Sequence, residues 1–360
     1  MRRTISTVAA TLVWLVALAV PASAHSVSGV SATNFETTLT GMSPRIPGVR
    51  VEVIEAGSRL ELTNTTDADV IVYGYQHDTP TTDQYLRIGP DGVFENTRSP
   101  AVYLNSVRRG NVAVPGTADP TAPPQWKKIS SGHTARWHDH RTHWMSDQNP
   151  PQVRRAPGEE HLIDRFEVPM SHDGRVVTVT GTLTWVPGPS SAPWWLLAVG
   201  LAAVTAALIL VGRGGRWAVP LVAALVALVL VDAVHAAGIA LAAAGSLPSQ
   251  LGKLAGGSFA SFIAWAVALA GIPFLRTRDD DGLWFAGFAA VFIALVGGVS
   301  DVGDLSRSQV PFAWGAGLAR ALVAITLGLA AGLLASVVVL LLRHRRREPV
   351  EQLAPAASDA

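Results

Sequence analysis

The sequence predicts an exported all-β antiparallel sandwich followed by an all-α bundle of five transmembrane helices. Three observations lead to this prediction: an apolar amino-terminal segment with the parts of a secretory signal, a polar and turn-rich first half, and five long apolar runs in the second half. The 360 residues are 49% hydrophobic and 15% charged, which averages two unlike halves that meet at about residue 190. A net charge of +1 argues against nucleic-acid binding, which requires a basic surface.

The first 24 residues have the three parts of a signal peptide. Two arginines precede the apolar core VAATLVWLVALAV, and a small-x-small cleavage site ends at Ala24. Cleavage there would make His25 the mature amino terminus. The chain contains no cysteine, which excludes disulfides and thiolate metal sites. We therefore expect residues 25–187 to form an extracytoplasmic domain that is stabilised by core packing.

Short runs of β-forming residues extend from about residue 48 to residue 186 and are separated by turn residues. The clearest pair lies in LIDRFEVPMSHDGRVVTVTGTLTWVP, where Asp173 and Gly174 form a predicted hairpin turn. After this turn, apolar side chains alternate with threonines, as they do in a strand that buries one face. Regularly spaced strands of this kind are typical of an immunoglobulin-like or cupredoxin-like sandwich.

The five apolar runs are each long enough to cross a bilayer at about 1.5 Å per helical residue. They lie near residues 194–212, 217–243, 256–275, 283–301 and 317–342. A short linker of residues 188–193 precedes them, and a basic, polar tail of residues 343–360 follows.

The charges of the loops predict the orientation of these helices. Arginines follow the first, third and fifth runs, in the segments RGGR, RTR and RHRRR. The loops after the second and fourth runs hold little positive charge. Because cytoplasmic loops collect Lys and Arg, we expect a plasma-membrane protein with its amino-terminal domain outside the cell and its carboxyl terminus in the cytoplasm. The lipid bilayer is then the partner of the helices.

The stretch WHDHRTHWM, residues 137–145, is the first candidate site. If strand geometry persists, His138 and His140 share one face, Asp139 lies on the other, and His143 lies on the following loop. Two imidazoles at this spacing suit Cu(II) or Zn(II), and Asp139 could bind the ion or orient a ligand. The same residues could instead form a pH-responsive switch, or a stacked ladder that is structural or contacts a partner.

Ionisable residues within the predicted spans form a second candidate site. Asp232 and His235 are three residues apart and share a helix face, and Asp301 and Asp304 repeat this spacing. Arg320 lies just inside the outer end of the fifth span, close to its first residue. A charge at the bilayer centre costs roughly 2.5–3.5 kcal/mol, so such residues usually face the bundle and find partners. They predict either an ion or proton site, or a salt bridge between Arg320 and an aspartate.

A histidine directly after an Ala-x-Ala cleavage site, at the start of an exported β-sandwich, resembles the CopC-type copper-binding proteins. The resemblance implies that His25 chelates Cu(II) through its amine and its ring, with Asp139 and His140 as candidates for the other ligands. It also implies a partner membrane domain of the CopD type, and in this chain a multi-span domain follows the sandwich.

These features lead to two functional hypotheses. In the first, an envelope protein binds Cu(II) or Zn(II) through four histidines, namely His25, His138, His140 and His143, and the bundle relays or senses the ion. In the alternative, a non-enzymatic interaction protein binds another envelope component and is anchored by the bundle. Neither a nucleophile elbow, a phosphate-binding loop nor a His-Glu-x-x-His motif occurs, so we expect no enzymatic activity.

Overall fold

The structure of the chain is a computed structural model that describes residues 31–75, 82–107, 112–212 and 216–351. The predicted signal peptide, His25 and the last nine residues of the tail lie outside these ranges. The chain divides into a β-rich unit and a helical unit. The β-rich unit consists of Ala32–Gly188 and Arg307–Gln309, and the described helical unit consists of Pro189–Ser306 and the residues from Val310 onward.

In the described residues, ten strands build the β-rich unit. They are β1 Phe35–Ser43, β2 Val49–Ile54, β3 Arg59–Asn64, β4 Val70–Tyr73, β5 Gln84–Gly89, β6 Gly92–Asn96, β7 Trp126–Ser130, β8 Thr134–His138, β9 His161–His172 and β10 Arg175–Trp185. They form a seven-stranded sheet in the order β1-β10-β9-β4-β5-β6-β7 and a three-stranded sheet in the order β2-β3-β8. Every pair is antiparallel, which confirms the predicted fold class.

The hairpin between β9 and β10 forms where the sequence predicts it. Asp173 and Gly174 both have positive φ, at 48° and 71°, which is the conformation of a tight hairpin turn. After the turn, burial alternates along β10 in the expected phase, since the apolar side chains of Val177, Val179, Leu183 and Trp185 are buried and the threonines between them are half-buried. Alternation with a period of two thus buries one face of β10.

Side chains from both sheets meet in one apolar core. The three-stranded sheet contributes Leu60, Leu62, Ala135 and Trp137, and the seven-stranded sheet contributes Val72, Ile88, Met170 and Val179 among others. Each large side chain buried in this way stabilises the fold by roughly 1.5–3 kcal/mol. Two short helices, α1 Pro100–Leu104 and α2 Pro151–Arg155, interrupt the predicted loops, and each begins with a proline in its first turn.

The described part of the helical unit contains six further α-helices: α3 Ala192–Val211, α4 Ala218–Ala242, α5 Leu247–Gly257, α6 Phe259–Thr277, α7 Asp280–Ile293 and α8 Ala316–Glu351. Helix α7 continues as a π-helix, Ala294–Val299, and a 3₁₀-helix follows at Val302–Ser306. Among the described residues, five segments are long and apolar enough to cross a membrane, which confirms the predicted number of spans: Ala192–Val211, Ala218–Ala242, Phe259–Thr277, Asp280–Val299 and Ala316–His344.

The surface of the helical unit is also that of a membrane-embedded protein. Large apolar side chains point outward, for example Leu196 at 73% exposure and Val219 at 75%. Alanines fill much of the interior, including Ala264, Ala268 and Ala286, which are all nearly inaccessible. Small residues let helices approach closely where lipid provides no hydrophobic drive for association. The chain is therefore a membrane protein with a separate β-rich unit.

Two features of the helical unit were not predicted. The loop between the second and third spans contains α5, whose 11 residues are too few to cross a bilayer and include Gly252 and Gly256. The fourth span was expected to be one helix over residues 283–301, but its last turns adopt π geometry around the glycine pair Gly297 and Gly298. Apolar composition predicts a span, and it does not reveal a change of helix type within it.

The shared core of the β-rich unit can be tested with leucines at two depths. Leu62→Ala removes a side chain with 0% exposure between the two sheets. It should lower the free energy of unfolding by about 2–5 kcal/mol, because the cavity adds to the lost burial. Leu162→Ala, at a position with 47% exposure on β9, is the matched control and should have little effect. Equal losses of thermal stability in the two variants would contradict the two-sheet core.

Candidate functional site

Strand β8 ends at His138, at the start of the histidine-rich stretch. The chain then turns through residues 139–142, where the backbone N–H of Thr142 donates to the carbonyl oxygen of Asp139 at 3.0 Å. The strand therefore ends two residues before His140, and the strand geometry predicted for this stretch does not continue. His138 and His140 do not lie on the same face of one strand as expected.

Asp139 is completely buried at the centre of this turn. Its Oδ1 accepts from the backbone N–H and the Nε of Arg141, at 3.1 and 2.7 Å. Its Oδ2 accepts from the Nη2 of Arg141 at 2.7 Å and from the Nε1 of Trp137 at 3.0 Å. Burial by itself would raise the pKa of Asp139, but the charge and hydrogen bonds of Arg141, with the Trp137 bond, hold that pKa below its usual value. Four donors on two oxygens argue against Asp139 as a metal ligand.

Arg141 connects the turn to the end of β4. Its Nη2 and Nη1 donate to the carbonyl oxygens of Tyr73 and Gly74, both at 3.2 Å. Its guanidinium carbon lies 4.9 Å from the ring centroid of Tyr75, within cation–π distance. Burial by itself would lower the pKa of Arg141, but Asp139 raises it above its ordinary value. The arginine thus links the three-stranded sheet, which contains β8, to the seven-stranded sheet, which contains β4.

Tyr75 contacts the turn through both its hydroxyl and its ring. Its hydroxyl donates to Oδ1 of Asn105 and accepts from the backbone N–H of His140 at 2.8 Å. Burial, followed by the nearby charge of Asp139, raises the pKa of Tyr75 well above its usual value, so the phenol stays protonated. Its ring stacks on the ring of His140, with centroids 5.8 Å apart and planes 18° apart. Tyr75 therefore sets the position of His140.

His138 is engaged through both ring nitrogens. The Nε of Arg59 can only donate, so Nε2 of His138 accepts that bond at 3.1 Å. The carbonyl oxygen of Ser58 can only accept, so Nδ1 carries the proton and donates to it at 2.8 Å. This arrangement holds His138 as a neutral ring on the edge of the three-stranded sheet. It argues against His138 as a metal ligand.

The structure brings His140 and His143 together instead. Their ring centroids are 5.7 Å apart with the planes at 78°, an edge-to-face contact. Nε2 of His140 lies 3.0 Å from the carbonyl oxygen of Val107, so this nitrogen carries the proton and Nδ1 keeps its lone pair. Nδ1 of His143 lies 3.5 Å from the carbonyl oxygen of Trp144, at the limit of a hydrogen bond. Among the described residues, no group of three or more His, Asp or Glu is arranged to hold a metal ion.

Sequence reasoning did not single out Asp83, which lies just before β5. Its side chain is inaccessible, and neither carboxylate oxygen has a hydrogen-bond partner within the described ranges. A Cβ atom on Gly74 would lie only 2.1 Å from its Oδ2, so the glycine leaves the space that the carboxylate occupies. The charge of Asp83 contributes, after the larger effects of Asp139 and Tyr75, to raising the pKa of Arg141. A single aspartate in a loop carries no sequence pattern that would have identified it.

In the helical unit, Asp232 lies on α4 and is buried. The indole Nε1 of Trp265 on α6 donates to its Oδ2 at 2.8 Å. A Cβ atom on Gly297 would lie 1.8 Å from its Oδ1, so only glycine at this place in the π-helix lets the carboxylate approach the backbone. The sequence predicted Asp232 as an interior residue but did not reveal Trp265 as its partner.

The other four predicted residues form two contacts in the same unit. Nδ1 of His235 lies 3.8 Å from Oδ2 of Asp301. Nε of Arg320 donates to the backbone carbonyl oxygen of Asp304 at 3.0 Å. The pKa of Asp301 is raised to about 7, mainly by burial and next by the negative charge of Asp304. Burial likewise raises the pKa of Asp304 to about 6, against the opposing effect of Arg320.

The Asp139–Arg141 pair can be tested by removing the cation and keeping its volume. Arg141→Met leaves Asp139 buried without its counter-charge, which should lower the free energy of unfolding by about 3–5 kcal/mol. Lys127→Ala breaks the exposed Lys127–Glu95 pair and is the control, with an expected loss of at most about 1 kcal/mol. Denaturant unfolding of the full chain, followed by tryptophan fluorescence, measures both. Similar small losses in both variants would show that the buried pair does not stabilise the turn.

The lowered pKa of Asp139 also predicts how stability depends on pH. Its ionised form stabilises the fold fully above the unfolded-state pKa of about 3.9, and this stabilisation is lost as the pH falls through the lower folded-state pKa. The stability difference between wild type and Asp139→Asn should therefore be largest near neutral pH and shrink in acid. Asp164→Asn, at an exposed position on β9, is the control. A difference that is constant from neutral pH into acid would contradict the assigned ionisation.

Comparison with known proteins gives no match to a protein-family model, to a curated protein or to a solved structure. The resemblance to CopC-type and CopD-type proteins therefore stays a prediction. Function must be inferred from the residues of the two sites and from their geometry.

Proposed function

We propose that the chain is a cell-envelope membrane protein whose β-rich unit binds one Cu(II) or Zn(II) ion, with His140 and His143 as ligands. The role is one of binding or sensing, without enzymatic turnover. The observation that carries this proposal is the contact between the two imidazole rings, whose centroids are 5.7 Å apart. Neutral imidazole is a good ligand for both metals.

The surroundings of His140 support this assignment. A metal-bound histidine usually donates its second ring N–H to a carbonyl or a carboxylate, which orients the ring. His140 makes such a bond from Nε2 to the carbonyl oxygen of Val107, and Tyr75 stacks on its ring. Nδ1 of His140 makes no hydrogen bond within the described part of the chain, so its lone pair is available as a ligand.

The positive charge of Arg141 opposes a bound cation only weakly at this site. Its guanidinium is paired with Asp139 through two hydrogen bonds of 2.7 Å and is directed toward the carbonyl oxygens at the end of β4. The pair has no net charge, so the repulsion of a bound cation is reduced. Two imidazoles do not complete a coordination sphere, and in this proposal His25 supplies its amine and ring, as the resemblance to CopC-type proteins implies.

The choice of metal follows from the available donors. The chain has no cysteine and only four methionines, so the soft ligands preferred by Cu(I) are scarce. Imidazole and amine nitrogens suit Cu(II) and Zn(II) better. In this proposal the five spans anchor the β-rich unit to the plasma membrane, with that unit outside the cell.

Metal titration of the full chain in lipid nanodiscs tests the proposal. Isothermal calorimetry with Cu(II), and separately with Zn(II), should show about one ion bound, and the double variant His140→Ala and His143→Ala should lose at least about 10-fold in affinity. His161→Ala is the matched control, because its ring is also half-buried and hydrogen-bonded to a carbonyl oxygen. His138→Ala should retain binding, since both nitrogens of that ring are already engaged. Equal affinity in the double variant and in wild type would refute the ligand assignment.

A different observation favours the alternative, in which the β-rich unit binds an envelope protein and no metal. The turn at residues 139–142 is already held by Arg141, Trp137 and Tyr75, so it needs no metal to be ordered. The same titration separates the two candidates. If neither metal binds to wild type, the interaction role becomes the better explanation.

A further inference from the structure

His235 is a buried imidazole that makes no hydrogen bond to any residue the structure describes. It lies on α4 with 1% exposure, and its Nε2 has no hydrogen-bond partner in the described part of the chain. Nδ1 is 3.8 Å from Oδ2 of Asp301, which is beyond hydrogen-bond distance. The ring stacks on Phe312, with centroids 5.7 Å apart and planes 27° apart. A buried polar group without a partner costs roughly 1–3 kcal/mol, so this position is unfavourable for a purely structural histidine.

The carboxylates around His235 differ in whether a hydrogen-bond donor or a positive charge lies beside them. Asp232 accepts a hydrogen bond from Trp265, and Asp304 lies beside the cationic Arg320. Asp301 is the carboxylate that faces the imidazole. The raised pKa of Asp301, to about 7, agrees with a carboxylate that gains little from its surroundings. With a neutral ring and an ionised carboxylate, the His235–Asp301 pair carries one uncompensated negative charge.

A change of helix type brings the pair together. The π-helix Ala294–Val299 ends just before Asp301, and the 3₁₀-helix begins at Val302. The backbone thus leaves regular α geometry where it supplies the carboxylate opposite α4. Single turns of π-helix inside α-helices occur frequently at functional sites. This geometric observation is independent of the missing hydrogen bonds of His235.

We propose that His235 and Asp301 together form a binding site for a single proton in the helical unit. On binding, a hydronium ion transfers its proton to Nδ1 of His235 or to Oδ2 of Asp301 and leaves as water. The pair then changes from a net charge of −1 to zero, either as an imidazolium–carboxylate ion pair or as a neutral ring with a carboxylic acid. This site does not depend on the metal site proposed for the β-rich unit.

A proton is favoured over a metal ion as the ligand. Among the described residues, no three His, Asp or Glu side chains are arranged around a common point that could hold a metal. Trp265 donates to Asp232, and Arg320 is itself a cation beside Asp304. Trp265 therefore occupies one oxygen of Asp232, and the charge of Arg320 opposes a further cation near Asp304. The remaining imidazole and carboxylate can share one proton at low electrostatic cost.

Nuclear magnetic resonance of the full chain, labelled with ¹⁵N-histidine in lipid nanodiscs, tests the proposal. The His235 signals, identified by their loss in His235→Gln, should titrate with a single midpoint between about pH 5 and 8. Infrared difference spectra over the same range should show a protonated-carboxyl band that disappears in Asp301→Asn. That variant should also shift the His235 midpoint downward by at least about 1 pH unit, because the carboxylate no longer stabilises the imidazolium.

The chain offers a matched control in a second histidine–aspartate contact. Nδ1 of His344 on α8 lies 2.6 Å from Oδ1 of Asp280 at the start of α7. Asp280→Asn should leave the His235 midpoint unchanged. If His235→Gln does not fold, Asp301→Asn still tests the proposal, because the histidine signals remain.

Three results would overturn the proposal. The first is a His235 ring that stays neutral beside an Asp301 that stays ionised across the whole range. The second is a permanent ion pair that never titrates, which would make the contact structural. The third is a midpoint that depends on the sodium concentration at constant pH, which would indicate a site for a monovalent cation.

Discussion

The buried ion pair of Asp139 and Arg141 is the interaction on which the candidate site in the β-rich unit depends. The two residues are two positions apart and close a turn directly after β8. Arg141 also donates to the carbonyl oxygens of Tyr73, the last residue of β4 in the other sheet, and of the following Gly74. Removing two charges from water is costly unless their hydrogen-bonding groups are satisfied. Here four donors saturate the carboxylate, and the guanidinium also lies against Tyr75. The turn therefore has one favoured geometry, and that geometry sets where the histidines lie.

The consequences for the histidines are specific. Because the turn begins at Asp139, His138 stays on the sheet edge and is held by Ser58 and Arg59. His140 is carried to the other side of the turn, onto Tyr75 and beside His143. Buried charges in the helical unit also require hydrogen-bond partners, and Trp265 donates such a bond to the carboxylate of Asp232. The histidine facing Asp301 has no such hydrogen-bond partner among the described residues, and a buried group of that kind is suited to exchange a proton.

Prediction from sequence succeeded where the determining physics is local. The alternation in β10 and the Asp173–Gly174 turn need only neighbouring residues, and both were confirmed. The prediction that His138 and His140 share one strand face was wrong for a related reason. The prediction continued the alternation of strand side chains past the end of β8, although the fully hydrogen-bonded Asp139–Arg141 pair favours a turn there. Asp83 and Trp265 were missed, because their importance arises from residues that are distant in sequence.

The sequence by itself determined the class of this protein: five apolar segments long enough to cross a membrane, preceded by an antiparallel β domain. Length, hydropathy and side-chain periodicity suffice for such features, because each depends on a continuous stretch of chain. Only the tertiary structure decided which histidines meet, and that a π-helix lies beside Asp232. Contacts such as Tyr75 with His140, or Asp232 with Gly297, join residues tens of positions apart. Such contacts form only when separate elements pack, and no local pattern in the chain encodes them.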